Sequence, residues 1–194
     1  MPPFLIALLA ALAAIGAGLP LIALPATLSL PRGIRPGLEP LTLDQAAERL
    51  RATGLSGMAL VEAARALTAG RMVYCRRNSF DLAPRAFERG YGYCQQQAFA
   101  LSGLLTRLGV EARPVQALRN RFPNGAVGGH AWVRVRLDGR QQDIDTLYYD
   151  PATQRLGFTS LTPVTGYSPL FRLLAGWGST AVNAIRYYRT GKDH

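Results

Sequence analysis

The sequence predicts an α+β domain behind a single apolar N-terminal helix, and three observations carry that prediction. An uncharged run extends from Phe4 to Leu30, apolar residues recur at helical spacing from Cys94 to Leu108, and His130 to Leu137 alternates cleanly before an Asp138-Gly139 pair. The length of 194 residues suits one domain with appendages. A hydrophobic content of 48% excludes a disordered chain, and two cysteines exclude a disulfide scaffold. The second histidine is the terminal His194, so His130 is left to carry imidazole chemistry.

The opening segment, residues 1–30, is longer in its apolar run than a secretory signal and lacks a basic start and a small-residue cleavage site. Roughly 20 apolar residues span a bilayer, so an uncleaved single-pass transmembrane helix is expected over 4–24. Pro20 and Pro25 would kink or end it, and Gly16 and Gly18 offer a small-residue surface to a neighbouring helix. Arg32 and Arg35 follow at once, and positive charge on that side predicts a cytoplasmic body.

The chain carries 22 Lys+Arg against 12 Asp+Glu, a formal charge of +10. These positions are almost all arginine and are scattered from Arg32 to Arg189 without a basic block or a nucleic-acid motif, so nucleic acid is not an expected partner. An anionic membrane surface is more compatible with the charge.

Residues 31–41 are rich in proline and glycine and form a linker. The folded domain is expected over 42–165. Thr42 with Gln45 makes a capping box for a helix over 43–52, and Ser56 caps a second helix reaching about 68, with Gly70 as its stop. Residues 74–92 lack a clean period and suggest loop with a short helix. Ala98, Leu101, Leu104, Leu105 and Leu108 mark the buried stripe of a helix that begins near Cys94 and ends at Gly109. Residues 113–118 read as a strand, and 141–149 as the return strand of the His130 hairpin. Residues 166–194 form a C-terminal amphipathic helix with Pro169 at its first position and a stripe of Leu170, Leu173, Leu174, Trp177, Ala181, Ile185 and Tyr188. It would cover the sheet, lie on the membrane or dock a partner.

The two-residue turn permits a register. With Leu137 opposite Arg140, Arg134 faces Asp143, Trp132 faces Asp145 and His130 faces Leu147. His130, Trp132, Asp143 and Asp145 then share one face, with Asp145 as the diagonal neighbour of the histidine. A thiol at a helix N-terminus feels the positive end of the helix dipole. An adjacent imidazole can pair with it and later protonate a leaving group, while a carboxylate on the far ring nitrogen orients the ring. Cys94, His130 and Asp145 meet these needs if the Cys94 helix packs across the sheet. A zinc site has no supporting Cys/His spacing, no cofactor is implied, and Cys75 reads as an ordinary thiol.

Gly92-Tyr93-Cys94, Ala98, Leu104-Leu105, Leu108-Gly109-Val110, Ala112-Arg113 and Val115 resemble the cysteine-helix run of the transglutaminase-like superfamily. His130-Ala131-Trp132-Val133 is similar to that family's histidine strand, and Ile144-Asp145-Thr146 to its aspartate strand. The resemblance implies a papain-like core in which an antiparallel sheet packs on the Cys-bearing helix. It also implies Cys94 as nucleophile, His130 as base and acid, and Asp145 as orienting group. Two departures stand out: Gln141 and Gln142 replace a tryptophan that usually precedes the aspartate, and Thr146 replaces a proline. Asp143 and Asp150 therefore stay open as third members.

Acyl transfer also needs oxyanion donors, for which the Cys94 N–H and the side chains of Tyr93, Gln95 and Gln96 are candidates. Trp132 on the same face is a candidate wall of the substrate groove. The expected activity is that of a membrane-tethered cysteine hydrolase, a peptidase or amidase acting on a peptide or protein amide. The alternative is a non-catalytic accessory subunit that uses the fold as a binding module in a larger membrane protein complex.

Overall fold

The structure, a computed structural model, describes residues 32–192 and, of the N-terminal segment, positions 2, 4–6, 18, 21, 23–26 and 28–30; within 169–177 it describes the backbone. The membrane helix expected over 4–24 therefore lies largely outside the described residues. Among the described residues, no helix is long and apolar enough to cross a membrane.

The elements run α1 (Leu43–Arg51), α2 (Gly57–Arg71), β1 (Val73–Tyr74), α3 (Ala83–Arg89), β2 (Tyr91–Gly92), α4 (Cys94–Arg107), β3 (Glu111–Arg121), β4 (Val127–Leu137), β5 (Arg140–Ile144), β6 (Tyr149–Asp150), β7 (Arg155–Leu156), β8 (Thr159–Ser160), β9 (Thr165–Gly166) and α5 (Pro169–Thr190). The main sheet has the order β5-β4-β3-β8, with β9 pairing β3 further along, and every pairing in it is antiparallel.

The first helix forms as its cap predicts: Thr42 Oγ1 accepts the Gln45 N–H and Gln45 Oε1 accepts the Thr42 N–H. The second runs past Gly70 to Arg71, and the Ser56 side chain makes no cap bond. The reason for the extra turn lies outside the helix. The Arg71 guanidinium is buried and donates to the carbonyls of Glu39, Phe87 and Glu88, which ties the helix end to the linker and to α3. The stretch 74–92 contains the expected short helix, α3, closed by Gly90 in the left-handed region. It also contains β1 and β2, a parallel pair that sequence reading treats as loop.

The Cys-bearing helix α4 is the hub of the main core. Leu101, Leu104 and Leu105 are buried among Leu43 and Leu50 of α1, Val61 and Ala64 of α2, Phe87 of α3, and Ala131, Val133, Val135 and Ile144 of the sheet. Truncating a fully enclosed leucine here to alanine costs about 2–5 kcal/mol. A smaller cluster of Val115, Ala117, Trp132 and Phe158 sits on the opposite face of the sheet. The split follows the pleat: odd and even positions of β4 serve different cores.

The hairpin register is the expected one from Leu137↔Arg140 through Arg134↔Asp143. It stops at Val133↔Ile144, so the opposition of Trp132 to Asp145 and of His130 to Leu147 does not form. Asp145 ends the strand by accepting the Tyr148 N–H at 3.0 Å, which turns the backbone out of the ladder. The return strand expected to 149 is thus β5 plus a separate two-residue strand, β6.

The C-terminal helix begins at Pro169, as its sequence signal indicates. Leu170, Leu173, Leu174 and Trp177 of its expected stripe lie outside the described side chains. Of the rest, Ala181 is buried, while Ile185 and Tyr188 are exposed. Ala184 packs with Ala23 and Ala26, and the Tyr188 hydroxyl accepts the Ala26 N–H at 2.9 Å, so this helix rests on the N-terminal segment.

Candidate active site

Cys94 is the first residue of α4, half-buried at the helix N-terminus. Gly92, two residues earlier, sits in a tight spot: a Cβ there would lie 2.7 Å from Met72 Cε, the end of a flexible side chain, and 3.2 Å from Gln96 Cβ, so both neighbours would have to shift. The three glutamines that follow Cys94 divide their work. Gln96 holds the helix start, accepting the Tyr93 N–H and donating to the Asp81 carbonyl. Gln97 donates to the carbonyls of Met72 and Gly92 and accepts from Thr146 Oγ1 at 2.7 Å. Gln95 lines a cavity of about 340 Å³ together with Cys94, Tyr93 and His130.

His130 comes from β4, opposite Ala117 of β3 and next to the irregularity between Ala117 and Asn120. Its Nε2 lies 2.9 Å from Asp145 Oδ2, and both side chains are buried. The Cys94 side chain acts on the same ring, as a hydrogen-bond partner and a charge that both raise the imidazole. Burial disfavours the charged ring, but the hydrogen bonds to Asp145 and Cys94, with their charges, outweigh it and raise His130 to about 10. An aromatic cup of Phe122, Trp132, Tyr148 and Phe158 holds the imidazole at centroid distances of 5.6, 6.2, 5.5 and 5.1 Å.

The three candidate carboxylates separate cleanly. Asp145 meets His130. Asp143 takes a bidentate pair from Arg134 at 2.7 and 2.9 Å on the neighbouring strand. Asp150 is exposed and accepts from Thr153 and the Ala152 N–H.

The Tyr93 hydroxyl donates to Gln95 Oε1, and burial pushes this phenol up. Gln96 does not line the cavity: its amide oxygen accepts the Tyr93 N–H and its nitrogen donates to the Asp81 carbonyl. Trp132 does not line it either: it is buried in the second core against Phe158 and stacks behind His130. Among the described residues, no group of three or more His, Cys, Asp or Glu side chains is arranged to hold a metal ion.

Sequence reading missed the far wall. Gly178, Ser179, Val182, Asn183 and Arg186 of α5 line the same cavity, with Tyr74 and Gln116. Their spacing along α5 is one helical face, and the polar members at 179, 183 and 186 were the available signal. A second cavity of about 630 Å³ continues past Tyr74, Gly129, His130 and Arg186 to Arg76 and Phe122.

The sequence model of the transglutaminase-like superfamily matches residues 45–146. No curated relative matches the chain. Two solved structures match part of it. One is a proposed cysteine protease from Cytophaga hutchinsonii, at 15% identity and TM-score 0.48 over 64% of this chain and 46% of that one. The other is a proposed protease from Parabacteroides distasonis, at 17% identity and TM-score 0.41 over 53% and 22%. The chain therefore spans less than half the length of either. The matched stretch reaches from α1 through Thr146, takes in Cys94, His130 and Asp145, and covers more than half of the sequence, so the chain belongs to the transglutaminase-like superfamily.

Proposed function

We propose that the protein is a membrane-tethered cysteine hydrolase that cleaves a peptide or protein amide through a thioester. The observation that carries this reading is the chain of contacts from Cys94 to His130 to Asp145 at the wall of a cavity. The Cys94 sulfur, its proton carried by His130, attacks the amide carbonyl, so a C–S bond forms and the carbonyl electrons move to oxygen. As the tetrahedral species collapses, the C–N bond breaks and the imidazolium of His130 gives its proton to the departing amine. Water, deprotonated by the now neutral His130, then attacks the thioester; the C–S bond breaks, the acid leaves, and the sulfur and the reprotonated His130 are restored as the starting pair. Asp145 keeps the ring oriented and balances its charge throughout. The Cys94 N–H at the helix start and the amide nitrogen of Gln95, whose oxygen is occupied by Tyr93, are the donors offered to the oxyanion. The uncharged run before Arg32 supports the tether, and Arg32 with Arg35 supports a cytoplasmic body.

Alkylation by iodoacetamide at neutral pH tests the core of this reading. Cys94 is expected to react faster than glutathione and faster than the buried Cys75, and His130→Ala is expected to slow Cys94 alone. A rate indifferent to His130 removes the hydrolase. Carbonate-resistant sedimentation of the full chain with membranes, lost on deletion of residues 1–30, tests the tether.

A further inference from the structure

We propose that the cleft beside Cys94 selects an amide substrate that bears a carboxylate, received by Arg76, Arg186, Gln116 and Asn183. The inference rests on the hydrolase reading and narrows its substrate.

The two cavities meet at Tyr74, Gly129, His130 and Arg186, so they form one cleft with the histidine at its waist. Among the described residues, the buried polar atoms of its lining that lack a hydrogen-bond partner are Gln116 Nε2, Asn183 Nδ2 and Arg76 Nε. All three are donors. Gln116 and Asn183 are only 8% and 6% exposed, so bulk water does not satisfy them. A buried donor without a partner costs free energy that an incoming acceptor recovers. Among the described residues, neither lining contains an aspartate or glutamate, and Asp145 stands behind the histidine with its Oδ2 already accepting from His130 and the Tyr148 N–H.

The charge points the same way. Arg186 borders both cavities and Arg76 borders the larger one, and neither forms an ion pair among the described residues. Asn183 and Arg186 are three residues apart on α5, so an amide donor and a guanidinium face the cleft together. A carboxylate has about four acceptor sites and a full charge, and suits guanidinium geometry. A neutral amide carbonyl would answer the amide donors and leave the guanidinium charge without a counterion. A cationic substrate would meet repulsion from both arginines.

Protection of Cys94 against iodoacetamide by three nearly isosteric compounds tests the proposal. N-acetylglutamic acid α-amide carries a side-chain carboxylate, N-acetylglutamine a terminal one, and N-acetylglutamine amide neither. At least one charged compound is expected to protect at a concentration about threefold or more below that of the neutral one, the size expected for a partly exposed ion pair. Whichever protects identifies the carboxylate as side-chain or terminal. R186Q and R76Q are each expected to reduce that preference, with thermal melting to verify that both variants fold. Equal protection by all three compounds, no protection by any, or a preference that survives both substitutions overturns the proposal. Failure of the hydrolase reading looks different: Cys94 alkylates no faster than glutathione without any competitor, and protection is still measurable on the slow reaction.

Discussion

His130 donates from Nε2 to Asp145 Oδ2 at 2.9 Å, whereas Asp143, two residues nearer along the chain, is held by Arg134. Asp145→Asn is therefore expected to lower the turnover of an amide substrate by about 10²–10⁴, because the ring loses its orienting charge. Asp143→Asn weakens a partly exposed ion pair and is expected to cost about 1 kcal/mol in stability. Steady-state kinetics on the two variants checks this. A larger activity loss at Asp143 would reassign the triad.

His130 also couples stability to pH. Its ordinary value is 6.5 and the folded protein raises it to about 10. The charged ring therefore contributes stability fully below about 6.5, and that contribution is lost as pH rises toward 10, at no more than about 1.4 kcal/mol per pH unit. The Tm of the wild type is expected to fall between pH 7 and pH 10 relative to that of His130→Gln. Parallel curves would show that the imidazole is not held charged.

Thr146 Oγ1 donates to Gln97 Oε1 at 2.7 Å in a buried contact that joins the aspartate segment to the cysteine helix. Thr146→Val keeps the shape and leaves the Gln97 oxygen without its donor. A loss of about 1–3 kcal/mol is expected, read from urea unfolding. Because Asp145 is the preceding residue, a slower Cys94 alkylation is expected to accompany it.

Arg71 is a structural cation. Its guanidinium serves the carbonyls of Glu39, Phe87 and Glu88 and lies over the Phe87 ring at 5.0 Å. Arg71→Met removes the guanidinium from all three carbonyls, of which Phe87 keeps only the Gly90 N–H, and is expected to cost about 2–4 kcal/mol. Arg71→Lys is not expected to rescue it, since a point ammonium cannot span the fork. Denaturant midpoints of the two variants check the claim.

What the sequence alone determined is local or nearly so. The cap at Thr42, the helix from Cys94 to Gly109, the Asp138-Gly139 turn with positive φ at both residues, and the register from Leu137 to Asp143 all follow from neighbouring side chains and backbone preferences. Those constraints act over a few residues, so a linear reading reaches them. It also put Asp145 near His130, but through a register that ends at Ile144 before reaching either residue, and it left three carboxylates open.

The tertiary structure decided the rest. Asp145 was selected because the ladder ends one residue earlier, at Ile144, and that ending depends on a turn closed by the carboxylate itself. Trp132 went behind the histidine because Phe158, remote in sequence, fills that face of the sheet. The C-terminal helix became a wall of the cleft because Ala184 and Tyr188 pack on the N-terminal segment while Ser179, Asn183 and Arg186 turn toward Cys94. The first choice rests on a side-chain turn, and the other two on burial against surfaces that lie beyond the element itself, as far as 162 residues away for Ala26 and Tyr188; periodicity carries no information about which distant surface will be there to bury against.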